Sequence, residues 1–236
     1  MPLPTSNPGL QWRGIAPPLA LSDYKVIAFD MDSTLISIET LDEMADLMGK
    51  KAEVAALTEA AMRGESVDYK QSLRERVALL AGMPAAMLDR VYEERVRINP
   101  GAETLIAACK AAGLTCLLVT GGFTCFTDRL RARLGLDDVR ANVLEVRDGL
   151  LTGRLLPQPW GDICDGEEKR RKLLEVCAAR GVGPQRAIAV GDGANDLPMM
   201  RAAGLSVGYR AKPVVRQEAK VAIDEGGLDR LLELFA

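Results

Sequence analysis

The chain has 236 residues, 48% of them apolar and 27% charged, a balance that excludes a disordered protein and provides for a substantial core. With 30 basic against 33 acidic residues the formal charge is −3, which excludes a general pull towards nucleic acid or anionic lipid, and 4% aromatic residues are too few for the stacking surface of a single-strand binder. There is no histidine, so a Ser-His-Asp arrangement, a histidine base and a histidine-ligated metal are excluded, and carboxylates, lysine, arginine, hydroxyls and backbone must carry any chemistry.

Residues 1–24 are rich in proline and aperiodic, which predicts an extended tail packed loosely, if at all, on the main body. They lack a basic start followed by an apolar core, and no apolar run approaches the roughly 20 residues that cross a bilayer, so the expected compartment is the cytoplasm. Cys109, Cys116, Cys125, Cys164 and Cys177 are odd in number and show no C-x-x-C spacing, as expected of thiols in a reducing compartment rather than of a disulfide framework or zinc site.

Residues 26–39 read VIAFDMDSTLISIE. A short apolar run bounded by polar residues predicts a strand buried on both faces, and ligands of open α/β sheets collect beyond the carboxyl ends of such strands. Asp30 and Asp32 then stand at the mouth of a site. Carboxylates this close ionise together only with a shared proton or a bound cation. With a hard cation such as Mg²⁺, one could attack an electrophile while the other carries a proton. A strand-ending turn with a helix cap is the plainer reading of Asp-x-Asp-Ser-Thr.

From residue 39 to about 96 the pattern is helical: LDEMADLMG, KAEVAALTEAAMRG, SLRERVALLAG and MPAAMLDRVYEERV place apolar residues at three- and four-residue intervals, separated by glycines. A helical block directly after the first strand predicts an inserted domain, residues 39–98, in a core formed by residues 25–38 and 99–236. Glu39 and Arg76 belong to that block, where by themselves they read as surface charge.

Beyond Pro100 alternation returns, with a helix over 101–112, a buried strand over 114–120 (LTCLLVT) and a helix over 124–134. Residues 139–146 and 150–156 flank Asp148-Gly149, which predicts a tight hairpin beside the sheet. A helix over 167–179, a strand over 187–190 and a helix over 197–203 follow. Short strands at 205–208 and 221–223 and a last amphipathic helix over 228–235 complete the chain. The fold class this predicts is α/β: a Rossmann-like parallel sheet core with an inserted helical domain and a small β-hairpin.

Three further stretches carry candidate chemistry. Thr120-Gly121-Gly122 follows an apolar strand, where paired glycines let backbone N–H groups approach an anion while the hydroxyl donates to it; a plain tight turn is the alternative. Lys169 opens a helix among Arg170, Arg171 and Lys172, each a candidate for a solvated side chain. Gly191-Asp192-Gly193-Ala194-Asn195-Asp196 follows a second strand with more polar density than a helix cap requires, and without the acidic spacing of a calcium loop.

Taken in order, FDMDST, VTGGF, a lysine and GDGANDLPM resemble the four motifs of the haloacid dehalogenase superfamily. FDMDSTLI with Glu39, Asp42-Glu43, AMRG, SLRERV, TGGF, AN-x-LE, DGLLTG, GDI and AGLSVGYRAKP extend the resemblance, from residue 26 to the C-terminus, to its phosphoserine phosphatase family. Departures are Thr120, where the family commonly has serine, and LPQPW before Gly161, which looks like extra loop. The short tail leaves no room for the N-terminal regulatory domain of many bacterial relatives.

The resemblance implies Mg²⁺-dependent hydrolysis of a phosphorylated amino acid, O-phospho-L-serine, through an aspartyl-phosphate. It casts Asp30 as nucleophile and Asp32 as the acid, then the base. It implies that the Asp30 carboxylate, the Asp32 carbonyl and the Asp192 carboxylate hold the metal, and that Thr120, Gly121, Lys169 and Asn195, supported by Gly122, bind the phosphoryl oxygens. Asp196 would orient Lys169 or a metal-bound water, Glu39 and Arg76 would pair with the substrate ammonium and carboxylate, and the helical block would be a cap over the site. A phosphotransferase acting on another amino-acid hydroxyl and a phosphosugar phosphatase or mutase stay open, although the sugar enzymes need no opposed Glu39–Arg76 pair. A receiver-like phosphorylation switch uses a similar constellation but has no cause for the helical insertion.

Overall fold

A computed structural model of the chain describes residues 8–62 and 68–236. Residues 1–7 of the expected tail and 63–67 of the helical block, including the Arg63-Gly64 end of the second predicted helix, lie outside the described residues. The centre is an eight-stranded sheet in the order β1-β8-β7-β6-β2-β3-β4-β5. Its strands are β1 (Leu10–Trp12), β2 (Val26–Phe29), β3 (Thr115–Phe123), β4 (Asp138–Arg147), β5 (Leu150–Leu156), β6 (Ala187–Gly191), β7 (Leu205–Tyr209) and β8 (Val221–Ile223). All pairings from β8 to β4 are parallel, and the two outermost, β1 on β8 and β5 on β4, are antiparallel.

The apolar runs become strands because both sheet faces are covered. In β2, Ile27 and Phe29 enter the core on one face and Val26 and Ala28 that on the other, the period-two alternation of a strand. On the Ile27 side lie α5 (Ala102–Ala111) and α6 (Thr124–Leu134), contributing Leu105, Ile106, Phe126 and Leu130. On the Val26 side lie α7 (Gly166–Ala179) and α8 (Leu197–Ala202), contributing Leu173, Val176, Leu197 and Met199. A short α9 (Pro213–Glu218) joins β7 to β8. The chain runs outward from β2 through β3 to β4, then returns to build β6, β7 and β8 on the other side of β2. The carboxyl end of β2 is therefore a topological switch point, where crevices form in such sheets.

The helices α1 (Thr40–Leu47), α2 (Lys51–Met62), α3 (Tyr69–Ala78) and α4 (Ala86–Arg90) stand between β2 and α5. The chain leaves and rejoins the sheet side by side: Ser37 N–H donates to Arg97 O (3.0 Å) and Asn99 N–H to Leu35 O (2.9 Å). At the opposite edge Asp148 (φ 50°) and Gly149 (φ 75°) form the hairpin turn between β4 and β5, the positive φ pair that a two-residue connection demands. Among the described residues no helix is long and apolar enough to cross a membrane.

Two expectations are corrected. The described part of the N-terminal segment is not loosely packed. Leu10, fully buried, begins strand β1, which pairs with β8 in the register Leu10↔Ile223, and Leu19 N–H donates to Leu234 O (2.8 Å). Tyr24 meets Phe235 edge-on, with ring centroids 5.9 Å apart. β8 would otherwise expose its unpaired N–H and C=O groups, and a three-residue strand answers that need while being too short to show alternation. The last helix, Leu228–Leu234, is 3₁₀ rather than α. Its buried leucines, Leu228, Leu231 and Leu234, recur every third residue, the period of a 3₁₀ turn, so one row of leucines meets the core.

Candidate active site

Asp30 directly follows β2, and its N–H donates to Val190 O of the neighbouring β6 (3.0 Å). Asp192 and Asp196 follow β6, Thr120 and Gly121 lie near the end of β3, and Lys169 is in the first turn of α7. Three crossovers thus deliver these side chains to one end of the sheet, and Asp30, Asp192, Asp196, Thr120 and Lys169 are all buried.

The Lys169 ammonium donates to Asp30 Oδ1 (2.6 Å) and Asp196 Oδ1 (2.7 Å). Burial works against its charge, and Asp196 and Asp30 more than reverse this, raising its pKa well above the usual lysine value. The other Asp196 oxygen, Oδ2, accepts the backbone N–H groups of Asp192 and Gly193, both at 3.1 Å, which folds the Gly-rich loop around the carboxylate. Gly191 makes this possible, because a Cβ there would lie 2.4 Å from the Asp196 carboxyl carbon. Thr34 Oγ1 donates to Asp192 Oδ1 (2.9 Å), and Asn99 Nδ2 to Thr34 O (2.8 Å), fixing Asp192 from below.

Asp32 points into the same pocket. Its Oδ2 accepts from Thr40 Oγ1 (3.0 Å), while Oδ1 is buried without a partner, as is Asn195 Oδ1. Ser33 takes a left-handed φ of 56° and donates from Oγ to Glu39 Oε1 (2.6 Å), turning the chain so that Glu39 faces back over Asp30 and Asp32. Thr120 Oγ1 accepts Gly122 N–H (2.9 Å) where the register of β3 against β4 shifts, so Gly121-Gly122 is not a turn after the strand as expected but part of β3, which runs on to Phe123. Arg76 reaches in from α3 and is 5% exposed, with Nε donating to Ser72 O at 3.3 Å. Asp30, Asp32, Glu39, Arg76, Thr120, Gly121, Gly122 and Asn195 line a cavity of about 30 Å³ together with Leu41, Tyr69, Leu73 and Phe123, roughly the room of one water molecule.

The pocket is electrostatically crowded. Burial, then the Asp196 charge, push Asp30 up to about 6 although Lys169 works the other way. Burial pushes Glu39 up to about 7, and burial with the neighbouring carboxylates holds Asp32 and Asp192 well above the usual range. Such a set binds protons or a cation. Asp30, Asp192 and Asp196 each offer an oxygen within 4.8 Å of the others. Because Lys169 and two N–H groups occupy Asp196, the carboxylates suited to a metal are Asp30, which accepts from Lys169 and the Met31 N–H, and Asp192, which accepts from Thr34. An all-oxygen, doubly anionic set of this kind fits a hard divalent cation.

Of the residues assigned roles by the resemblance, Asp30, Asp32, Glu39, Arg76, Thr120, Gly121, Gly122 and Asn195 line the pocket, while Lys169, Asp192 and Asp196 do not line it but cluster with Asp30. Three that the sequence did not single out matter as much. Asn142 of β4 donates from Nδ2 to Gly121 O (2.8 Å) and accepts Cys164 N–H on Oδ1 (2.8 Å), tying the end of β3 to the loop that precedes α7. Thr34 and Thr40 orient the acids. Lys169 could have been chosen over its basic neighbours by period, since it lies four and seven residues before the buried Leu173 and Val176 on one face of α7. Arg170 pairs with the exposed Glu167, Arg171 with Glu168, and Lys172 with Asp138 and Glu175.

The haloacid dehalogenase-like hydrolase family model matches residues 27–201. A phosphoserine phosphatase of Albidiferax ferrireducens is 66% identical over 228 residues, covering 97% of this chain and 96% of its own. Two solved structures superpose with TM-scores of 0.84. One, a phospho-aspartyl intermediate analogue of phosphoserine phosphatase, is 36% identical, and the other, a substrate-bound phosphoserine phosphatase complex, is 35% identical. Each comparison covers 90% of this chain and 99% of the other.

Proposed function

The chain belongs to the haloacid dehalogenase-like hydrolases and, within them, to the phosphoserine phosphatases, and from that premise we propose that this pocket hydrolyses O-phospho-L-serine through a phosphoenzyme on Asp30. The observation that carries the assignment of residues is that Asp30 lines the pocket and at the same time joins Lys169, Asp192 and Asp196 in one buried cluster. The Asp30–Lys169–Asp196 cluster suits phosphoryl chemistry, and Glu39 and Arg76, of opposite charge, face it from the helical block.

Asp30 attacks phosphorus, and the bond to the serine oxygen breaks as Asp32 delivers a proton to that oxygen. Asp32 then takes a proton from water, the water oxygen bonds to phosphorus, and the bond to Asp30 breaks to release phosphate. The unpartnered Asp32 Oδ1 supports this role, since Asp32 lines the pocket and only Oδ2 is held, by Thr40. Lys169, Thr120, Asn195 and the N–H of Gly121 bind the phosphoryl oxygens, with the Gly122 N–H orienting the Thr120 hydroxyl, and Asp196 aims the lysine. We assign the cation as Mg²⁺, to be held by the Asp30 and Asp192 carboxylates and the Asp32 carbonyl. When bound, it neutralises charge on the phosphoryl group and the carboxylates. The cavity has no room for an amino acid, which supports residues 39–98 acting as a cap that swings away for entry and shuts water out during transfer. Free thiols at all five cysteines are in keeping with a cytoplasmic enzyme that supplies serine.

Substrate identity is tested by phosphate release from a panel of phosphomonoesters, with and without acceptor alcohols. Arg76→Ala is expected to lower kcat/KM for phosphoserine by about one to two decades, the worth of a charge-assisted hydrogen bond of roughly 1.5–3 kcal/mol, and to change little on phosphoethanolamine, which lacks the carboxylate. Glu39→Gln is expected to harm phosphoserine while sparing 3-phospholactate, which lacks the ammonium. Equal losses of a folded Arg76→Ala protein on phosphoserine and phosphoethanolamine would contradict the assignment of Arg76.

A further inference from the structure

The β4–β5 hairpin lies at the far edge of the sheet, away from the reacting groups, yet it touches the helix that carries Arg76. A Cβ at Gly153 of β5 would meet Ala81 Cβ at 3.0 Å, Ala78 O at 3.1 Å and Ala78 Cα at 3.2 Å. Ala78 ends α3, two residues after Arg76. Just beyond, Gly82 N–H donates to Leu151 O (2.9 Å), Leu151 N–H to Met83 O (2.8 Å) and Ala85 N–H to Gly149 O (2.8 Å). The end of α3 and the turn after it thus close the outer edge of β5, which would otherwise be unpaired. Gly153 itself has φ +77° and sits where the β4–β5 register shifts, between Leu144 and Val146 of the partner strand, so a glycine at a bulge is what lets the helix backbone come this close.

We propose that the hairpin is the seat of α3 and that Gly153 is a positioning residue for Arg76, an inference about substrate recognition that rests on the assignment of Arg76 above. The contacts of the missing Cβ are mostly with backbone, which cannot rotate out of the way, so a side chain at 153 must displace the end of α3 by some tenths of an ångström. Arg76 moves with it, while Asp30, Asp32, Lys169 and Thr120, which are carried by other elements, stay where they are.

The test is a double-mutant cycle of Gly153→Ala and Arg76→Ala, read on phosphoserine and phosphoethanolamine. Misplacement of a binding group by about 1 Å can cost on the order of 10²-fold, so a smaller shift at Gly153→Ala is expected to lower kcat/KM for phosphoserine by about tenfold. The loss should be chiefly in KM, with less than about a twofold change on phosphoethanolamine. Added to Arg76→Ala, it is expected to cost nothing further, because coupled residues do not add. Activity on phosphoethanolamine also reports that the variant is folded. If the alanine protein does not fold, Gly153→Asn is read in its place, asparagine being the side chain that best tolerates positive φ.

Where Arg76→Ala does discriminate between the substrates, equal loss on both substrates, no loss on either, or full additivity with Arg76→Ala would overturn the role of Gly153. Failure of the underlying assignment looks different: Arg76→Ala alone would then fail to discriminate between the substrates. Gly153→Ala would still support the seat if it were non-additive with Arg76→Ala, and would refute it if additive.

Discussion

Asp30→Asn is expected to abolish turnover, with a loss on the order of 10⁴-fold or more, as when a covalent nucleophile is removed. The amide keeps the shape of the side chain but neither attacks phosphorus well nor supplies the anionic oxygen that a hard cation prefers. Lys169 and Asp196 keep their mutual contact in such a variant, so the phosphate-binding surroundings persist while the attacking oxygen does not. Steady-state phosphate release, with thermal unfolding as the control for a folded protein, checks the expectation. Asn195 and Lys169 substitutions should be costly but less severe, since each removes one of several contacts to the phosphoryl oxygens.

The second large effect separates the two half-reactions. A serine alkoxide is a poor leaving group that needs a proton, whereas an aryl phenolate departs unaided. Asp32→Asn is therefore expected to slow phosphoenzyme formation from phosphoserine by on the order of 10²–10⁴, the range for loss of a general acid, and to slow it little for an aryl phosphate. Breakdown of the phosphoenzyme, which uses Asp32 as the base, should slow for both. Rapid-mixing kinetics would then show an aryl-phenol burst of one equivalent followed by slow turnover. Equal slowing of the first step for the two substrates would remove Asp32 from the role of acid.

The sequence exposed those parts of the molecule whose physics is local. Apolar runs such as residues 26–29 and 187–190 read as strands because both faces of the sheet are covered and neither face admits polar residues. Asp148-Gly149 announced its hairpin through the conformations those residues favour. Where the deciding partner is distant, little could be read. Leu10 is a strand residue only because β8 presents a bare edge more than 200 positions later, and Thr34 matters only through Asp192, 158 residues away. The 3₁₀ turn at Leu228–Leu234 lay between the two kinds: its three-residue leucine spacing was visible, but a seven-residue stretch also fits an α-helical stripe.

The same division runs through the site. The acidic pair and the Gly-Asp-Gly loop stood out, since so much polarity at the end of an apolar strand has few structural uses. Arg76 looked like any helical surface arginine, because its burial follows from α3 folding over the sheet and from nothing in its immediate neighbourhood. Asn142, which joins the end of β3 to the approach of α7, lies in a strand with no local mark of its reach.

The central claim is that phosphate passes through Asp30. Acid quenching of the enzyme during turnover of phosphoserine labelled on phosphorus, followed by reduction of the acyl phosphate with labelled borohydride and peptide mapping, tests it directly. Label is expected on the peptide holding Asp30, with accumulation of that species in Asp32→Asn supplied with an aryl phosphate and its loss in Asp30→Asn. Turnover without a trappable acyl phosphate at any quench time, or label on another carboxylate, would contradict the claim.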